Sequence, residues 1–168
     1  MRSCLFSIVA ILGASQIASA QGSKHFIQAE LLKTIKAKKA KVGDAVKARA
    51  VQAVIMPGGV TISEGSTLVG EVRVVDEKSL AISFDQVEIK GNTTPVKLSI
   101  RGAMMPEQAS FSAGRAPSSS VGQTASVIGM PGVNLEVDEG PQHASKFVSA
   151  DKALELKSGL QLMLAVVE

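Results

Sequence analysis

Tryptophan and tyrosine are absent from this sequence, phenylalanine occurs five times, and there are one cysteine and two histidines. With so few rings, the core has to be built from Val, Ile, Leu, Ala and Met, a composition that suits β-sheet layers. The same shortage removes the platforms on which single-stranded nucleic acid stacks its bases, so no nucleic-acid partner is expected. A lone cysteine, Cys4, excludes an internal disulfide and a thiolate metal site. Stability must come from packing. No apolar run is long enough to span a bilayer as a helix; the one from Cys4 to Leu12 is too short.

That run has another reading. Arg2 precedes it and Ala18-Ser19-Ala20 follows, the three-part pattern of a secretory signal peptide over residues 1–20. The expected mature chain begins at Gln21 and is periplasmic or secreted. An uncleaved segment would instead anchor the same domain to the membrane. Residues 21–168 fit one domain in length.

The clearest structural signal lies between Val60 and Val75. Ser63, Glu64 and Gly65 form a polar turn in which Gly65 supplies a positive φ. Leu68, Gly70, Val72 and Val74 then alternate with Thr67, Glu71 and Arg73, the period of a half-buried strand. Gly70 is the exception that informs. A glycine inside a strand marks a bulge, a barrel corner or a close crossing of another segment.

On either side the pattern is mostly strand. Phe26 to Lys41 is rich in helix formers, yet Ile27, Ala29 and Leu31 alternate with Phe26, Gln28 and Glu30, which favours a strand over Phe26–Lys33, then a turn or short helix through Ala37–Lys41. Val42-Gly43-Asp44 is a turn, after which Val46, Ala48 and Ala50 alternate with Lys47 and Arg49, with a bulge expected at Ala50-Val51. Met56-Pro57-Gly58-Gly59 suits a type II turn. Leu80, Ile82 and Phe84 share a face before parity shifts at Asp85-Gln86, again a bulge. A hairpin turn at Gly91-Asn92 leads to Val96, Leu98 and Ile100 alternating with Lys97, Ser99 and Arg101. Residues 103–130 are small and polar and read as a long flexible loop insertion. Beyond them come a strand in NLEV, a polar loop DEGPQHASK, a strand in KALELK and a final strand QLMLAVV, apolar on both faces and expected to be fully buried.

Charge is uneven. Lys24 to Arg49 holds eight basic and two acidic residues, and the rest of the expected mature chain is mildly acidic. Lys33, Lys36, Lys38, Lys39 and Lys41 are therefore the candidate contacts for an anionic surface, with a solvated lysine face as the plain alternative.

Catalytic chemistry is poorly served. His25 lies near the expected mature N-terminus. His143 has Asp138 and Glu139 nearby, and a periplasmic hydrolase built on this set requires the three side chains to converge. One histidine with two loop carboxylates falls short of a zinc site. Asp76-Glu77 and Asp138-Glu139 sit where acidic turn residues are common, and Gly65-Ser66-Thr67 lacks the lysine and helix of a phosphate loop. No catalytic residue, cofactor or metal is expected.

Ile62, Gly65, Ser66, Leu68 and Gly70, followed much later by Ser158, Gly159 and Leu160, resemble the β-barrel domain of the outer-membrane channel subunit of type IV secretion and conjugation machines. The wording LLKTIKAKKAKVGDAVKA and ELKSGLQLMLAV is also similar to that of small exported acidobacterial proteins. The resemblance implies a barrel closed by the last strand, and implies no activity. The resulting expectation is an all-β domain, a small barrel or sandwich of about seven to nine strands. Its expected role is that of an exported non-catalytic module, structural or binding, in the cell envelope, its partner an unidentified envelope component or protein. The alternatives are the hydrolase built on His143 and attachment to the envelope through the basic segment Lys33–Arg49.

Overall fold

The computed structural model describes residues 26–56, 58–106, 124–137 and 143–167. Among these residues thirteen strands follow one another: β1 (Phe26–Leu31), β2 (Ile35–Lys36), β3 (Ala45–Ala50), β4 (Val54–Ile55), β5 (Thr61–Ile62), β6 (Thr67–Asp76), β7 (Ser79–Ile89), β8 (Asn92–Met104), β9 (Thr124–Ser126), β10 (Val133–Val137), β11 (Ser145–Ser149), β12 (Glu155–Leu156) and β13 (Gln161–Val166). Six of them, in the order β6-β3-β1-β13-β8-β7 with β7 pairing back to β6, close an antiparallel barrel. The protein is all-β, and of the two architectures left open by the sequence it is the barrel.

The wall is built by simple alternation. On β1, Ile27, Ala29 and Leu31 are buried while Phe26, Gln28 and Glu30 are half-buried; on β3, Val46, Ala48 and Ala50 are buried between exposed Ala45, Lys47 and Arg49. The helix-forming composition of this stretch is overridden because only a strand lets it pair on both sides, with β13 and with β3. Ala29 faces Ala50 across that pair, and both share one core with large side chains such as Phe84. This mixing of small and large residues is what a narrow barrel interior requires. At Ala50-Val51 the strand ends instead of bulging: Val51 is exposed and its N–H donates to the Gln28 carbonyl at 2.9 Å.

Both mouths of the barrel are stoppered. At one, β2 pairs with β12 and the side chains of Ala37, Leu154, Leu156 and Leu160 are buried in the core. At the other, the β4–β5 hairpin buries Met56 and Ile62. Its turn has the expected form at Gly58, φ 88°, with the Gly59 N–H donating to the Met56 carbonyl at 3.0 Å; Pro57 lies outside the described residues.

Bulges shape β6 and β7. Asp85 is skipped in the ladders to both β6 and β8, as its parity break foretold. A second bulge skips Arg73, so Val74 turns outward and is 43 % exposed, against the expectation that it shares the inner face of Leu68 and Val72; Val75 packs on the core in its place. The hairpin after β7 turns on Lys90 and Gly91, both at positive φ, one residue earlier than the sequence suggested.

Past Phe84↔Leu98 the strands β7 and β8 part, and β11, β10 and β9 continue the sheet from β7 as a flange. Alternation marks no strand over Ser145–Ser149, yet β11 pairs with both β7 and β10 and buries Phe147 completely. Nor does the long loop run over the whole of 103–130. Ala103 and Met104 end β8, Thr124–Ser126 form β9, Val127 is buried, and Ile128 bridges Met104. Only 107–123 of that loop lies outside the described residues. KALELK contributes just two strand residues, β12.

Where β7 and β8 separate, Ile100 loses a neighbouring ladder. Ser145 replaces it: its fully buried hydroxyl accepts the Ile100 N–H at 2.9 Å and donates to the Ile100 carbonyl at 3.0 Å. Ser145→Ala orphans both groups in the interior, where each unsatisfied polar group costs about 1–3 kcal/mol, so a loss of about 3 kcal/mol is expected. Ser99→Ala removes only a 3.3 Å contact between the two hydroxyls and should cost less. Denaturant melts of the two variants check the difference; equal losses would show that Ser145 does not stand in for a strand.

Candidate functional site

Three segments meet at the mouth stoppered by β2 and β12. Residues 32–47 carry the lysine-rich stretch. Residues 76–78 join it through the Leu154 N–H, which donates to the Glu77 carbonyl at 3.0 Å, and through the ion pair of Lys38 with Glu77 at 2.8 Å. Residues 150–160 join through the β2–β12 pairing, the Lys36–Glu155 ion pair at 3.3 Å and the Ser158 N–H on Thr34 Oγ1 at 3.0 Å.

Pairing thus brings Lys33, Lys36, Lys38, Lys39, Lys41 and Lys47 together with Lys78, Lys152 and Lys157, which the sequence did not mark out because they come from remote segments. These three segments hold nine lysines against Asp44, Asp76, Glu77, Asp151 and Glu155. The remaining described residues carry six basic and six acidic side chains, so the excess positive charge of the described protein sits at this one end. Four of the five carboxylates are already engaged: Asp44 Oδ2 accepts the Lys41 N–H, Asp76 Oδ2 accepts the Ser79 hydroxyl, and Glu77 and Glu155 hold Lys38 and Lys36. The hydrogen bond and charge of Lys38 hold the Glu77 carboxyl below its ordinary value. Its sign is that of a depressed acid: the pairing is present at neutral pH and is lost as pH falls through the lowered value. Among the described residues Lys33, Lys39, Lys41, Lys152 and Lys157 have no side-chain partner.

The candidates for catalysis do not assemble. Asp138 and Glu139 lie outside the described residues, as does His25. His143 is not the exposed loop residue its surroundings suggested. It is half-buried, with φ 46°, and its Nδ1 is buried without a hydrogen-bond partner among the described residues. Among the described residues no three His, Cys, Asp or Glu side chains come together as a metal-ligand set.

One polar cluster was not foreseen. Arg73 Nε donates to Ser83 Oγ at 2.8 Å, its Nη2 donates to Asp85 Oδ2 at 2.8 Å, Ser83 Oγ donates to Asp85 Oδ2 at 3.1 Å, and Glu71 also pairs with the guanidinium. Arg73 and Asp85 are the two bulged residues of β6 and β7, so the cluster ties one bulge to the other. Ser83 is fully buried beneath it, which leaves its hydroxyl no open side for a substrate. This is a clamp on the barrel wall. Among the described residues no helix is long and apolar enough to cross a membrane. No family model, curated protein or solved structure matches the chain, so its geometry has to speak for itself.

Proposed function

We propose that the protein is an exported, non-catalytic β-barrel module with a structural or binding role in the cell envelope, attached to anionic envelope material by its lysine-rich end. The observation that carries this is the convergence of nine lysines from three segments on one mouth of the barrel, while the other described residues are electrically balanced. Clustered positive charge raises the local concentration of an anionic partner. Export is supported by the Arg2, Cys4–Leu12 and Ala18-Ser19-Ala20 pattern, and the envelope by the resemblance to secretion-channel barrels.

Sedimentation of the protein with envelope fractions tests it. Binding is expected at low salt and release near 1 M salt, where the screening length falls from about 10 Å at 0.1 M to about 3 Å. Replacing Lys33, Lys39 and Lys41 together by Glu should abolish retention without changing the melt, since all three are exposed and have no side-chain partner among the described residues. Retention that ignores both salt and these substitutions would refute the reading.

A further inference from the structure

We propose that the lysine-rich end docks on the surface of an anionic lipid bilayer, with Val42 and Val74 seated among the headgroups. The inference rests on the reading of that end as the attachment surface and names its partner. Charge alone fits any polyanion. What singles out a bilayer is the apolar surface held in water at the same place: Val42 is 65 % exposed, Val74 43 % and Leu32 39 %. An interface of headgroups and acyl chains takes up both lysines and aliphatic tips, whereas an anionic polysaccharide offers nothing to a valine.

The backbone fixes these side chains outward. The Gly43 N–H donates to the Val72 carbonyl at 2.8 Å and the Val72 N–H donates to the Asp44 carbonyl at 3.0 Å, so two residues of one segment oppose one of the other. Val42 is thereby carried beside β6, and the turn that presents it is closed by the Lys41 N–H on Asp44 Oδ2 at 2.8 Å. Val74 faces out because Arg73 is bulged; without that bulge it would lie in the core. Two separate irregularities therefore expose two valines on adjoining segments. Lys39 and Lys41 precede Val42, Lys78 follows Val74 on the next turn, and Lys33 and Lys47 adjoin Leu32, whose N–H donates to the Lys47 carbonyl at 3.0 Å. The carboxylates in between are mostly occupied by their own hydrogen bonds and ion pairs, which leaves the unpaired lysines to face phosphate groups.

The lack of tryptophan makes the test clean. Val42→Trp places a single reporter at the tip, and Ile55→Trp places one on an equally exposed residue at the opposite mouth. With vesicles of phosphatidylcholine containing phosphatidylglycerol, the Val42→Trp emission should shift to the blue and be quenched by brominated acyl chains. Phosphatidylcholine alone should give no shift, and Ile55→Trp should give none with either. In the wild-type background, Lys39→Glu with Lys41→Glu should weaken vesicle binding by at least about fivefold per lysine, and Val42→Ser with Val74→Ser should weaken it at unchanged charge. Vesicle binding with an unshifted Val42→Trp, or a shift in Ile55→Trp, would overturn the proposed orientation. Retention on lipid-free envelope polymer with no vesicle binding would overturn the lipid partner and leave the attachment reading standing. Binding to neither would overturn both.

Discussion

A chain ending at Lys157 is expected not to fold. The residues it lacks include Leu160, Leu162, Met163 and Leu164, each buried to within a few per cent, and Ala165, which is buried as well. Burying one large aliphatic side chain contributes roughly 1.5–3 kcal/mol, so these four amount to about 6–12 kcal/mol, comparable with a whole domain's stability of about 5–15 kcal/mol. The position of β13 adds a second reason. It lies between β1 and β8, and removing it opens the barrel and exposes two unpaired strand edges, a template for aggregation. Size-exclusion chromatography and a thermal melt of the truncated protein check this. A soluble, monomeric, cooperatively melting product would show that β13 is dispensable and that the closed barrel is not the unit of stability.

The second large effect is expected at Gly70. A methyl group there would sit 2.0 Å from the Ser83 carbonyl oxygen, 2.9 Å from Phe84 Cδ1 and 3.0 Å from Phe84 Cα. Two of the three are backbone atoms of the neighbouring strand, fixed by the ladder and by the Asp85 bulge beside them, so no rotamer change relieves the clash. Overpacking a well-filled core costs about 1–3 kcal/mol, and here the upper end or more applies because the wall itself has to move. Gly70→Ala should lower stability by about 3 kcal/mol, and Gly70→Val should prevent folding. Val69→Ala on the outward face should stay within about 1 kcal/mol. If Gly70→Ala melts like the wild type, β6 and β7 do not cross as closely as described.

How much of this was readable in the chain depends on whether the cause was local. Alternation placed β1 and β3 correctly, despite helix-forming lysines and alanines, because their inner residues repeat with period two. The Asp85 bulge was legible from a parity break, and Gly70 from the rarity of glycine within a strand. The Arg73 bulge was not, because Val72, Val74 and Val75 are all apolar and the sequence offers no parity to break. The strand β11 was missed for a related reason: Ser145 and Ser149 are buried polar residues, Ser145 held by Ile100 on a strand distant in sequence, so SKFVS carries no apolar stripe. The site divides the same way. Lys33 to Lys41 form a visible run, whereas Lys152 and Lys157 join them through the pairing of β2 with β12, segments more than a hundred residues apart, and Lys78 through the contacts of Glu77 with Leu154 and Lys38.

The pairing of β1 with β13, Phe26 opposite Ala165, sets the tempo of folding as well as its product. β1 has no neighbour on that side until residues 161–166 have been made, so the barrel cannot close before then. Rates fall as contacting residues lie further apart in sequence, and all-β domains dominated by such contacts fold in milliseconds to seconds. A chain that has not yet placed β13 therefore passes through a period in which β1 and β8 each present an unpaired edge.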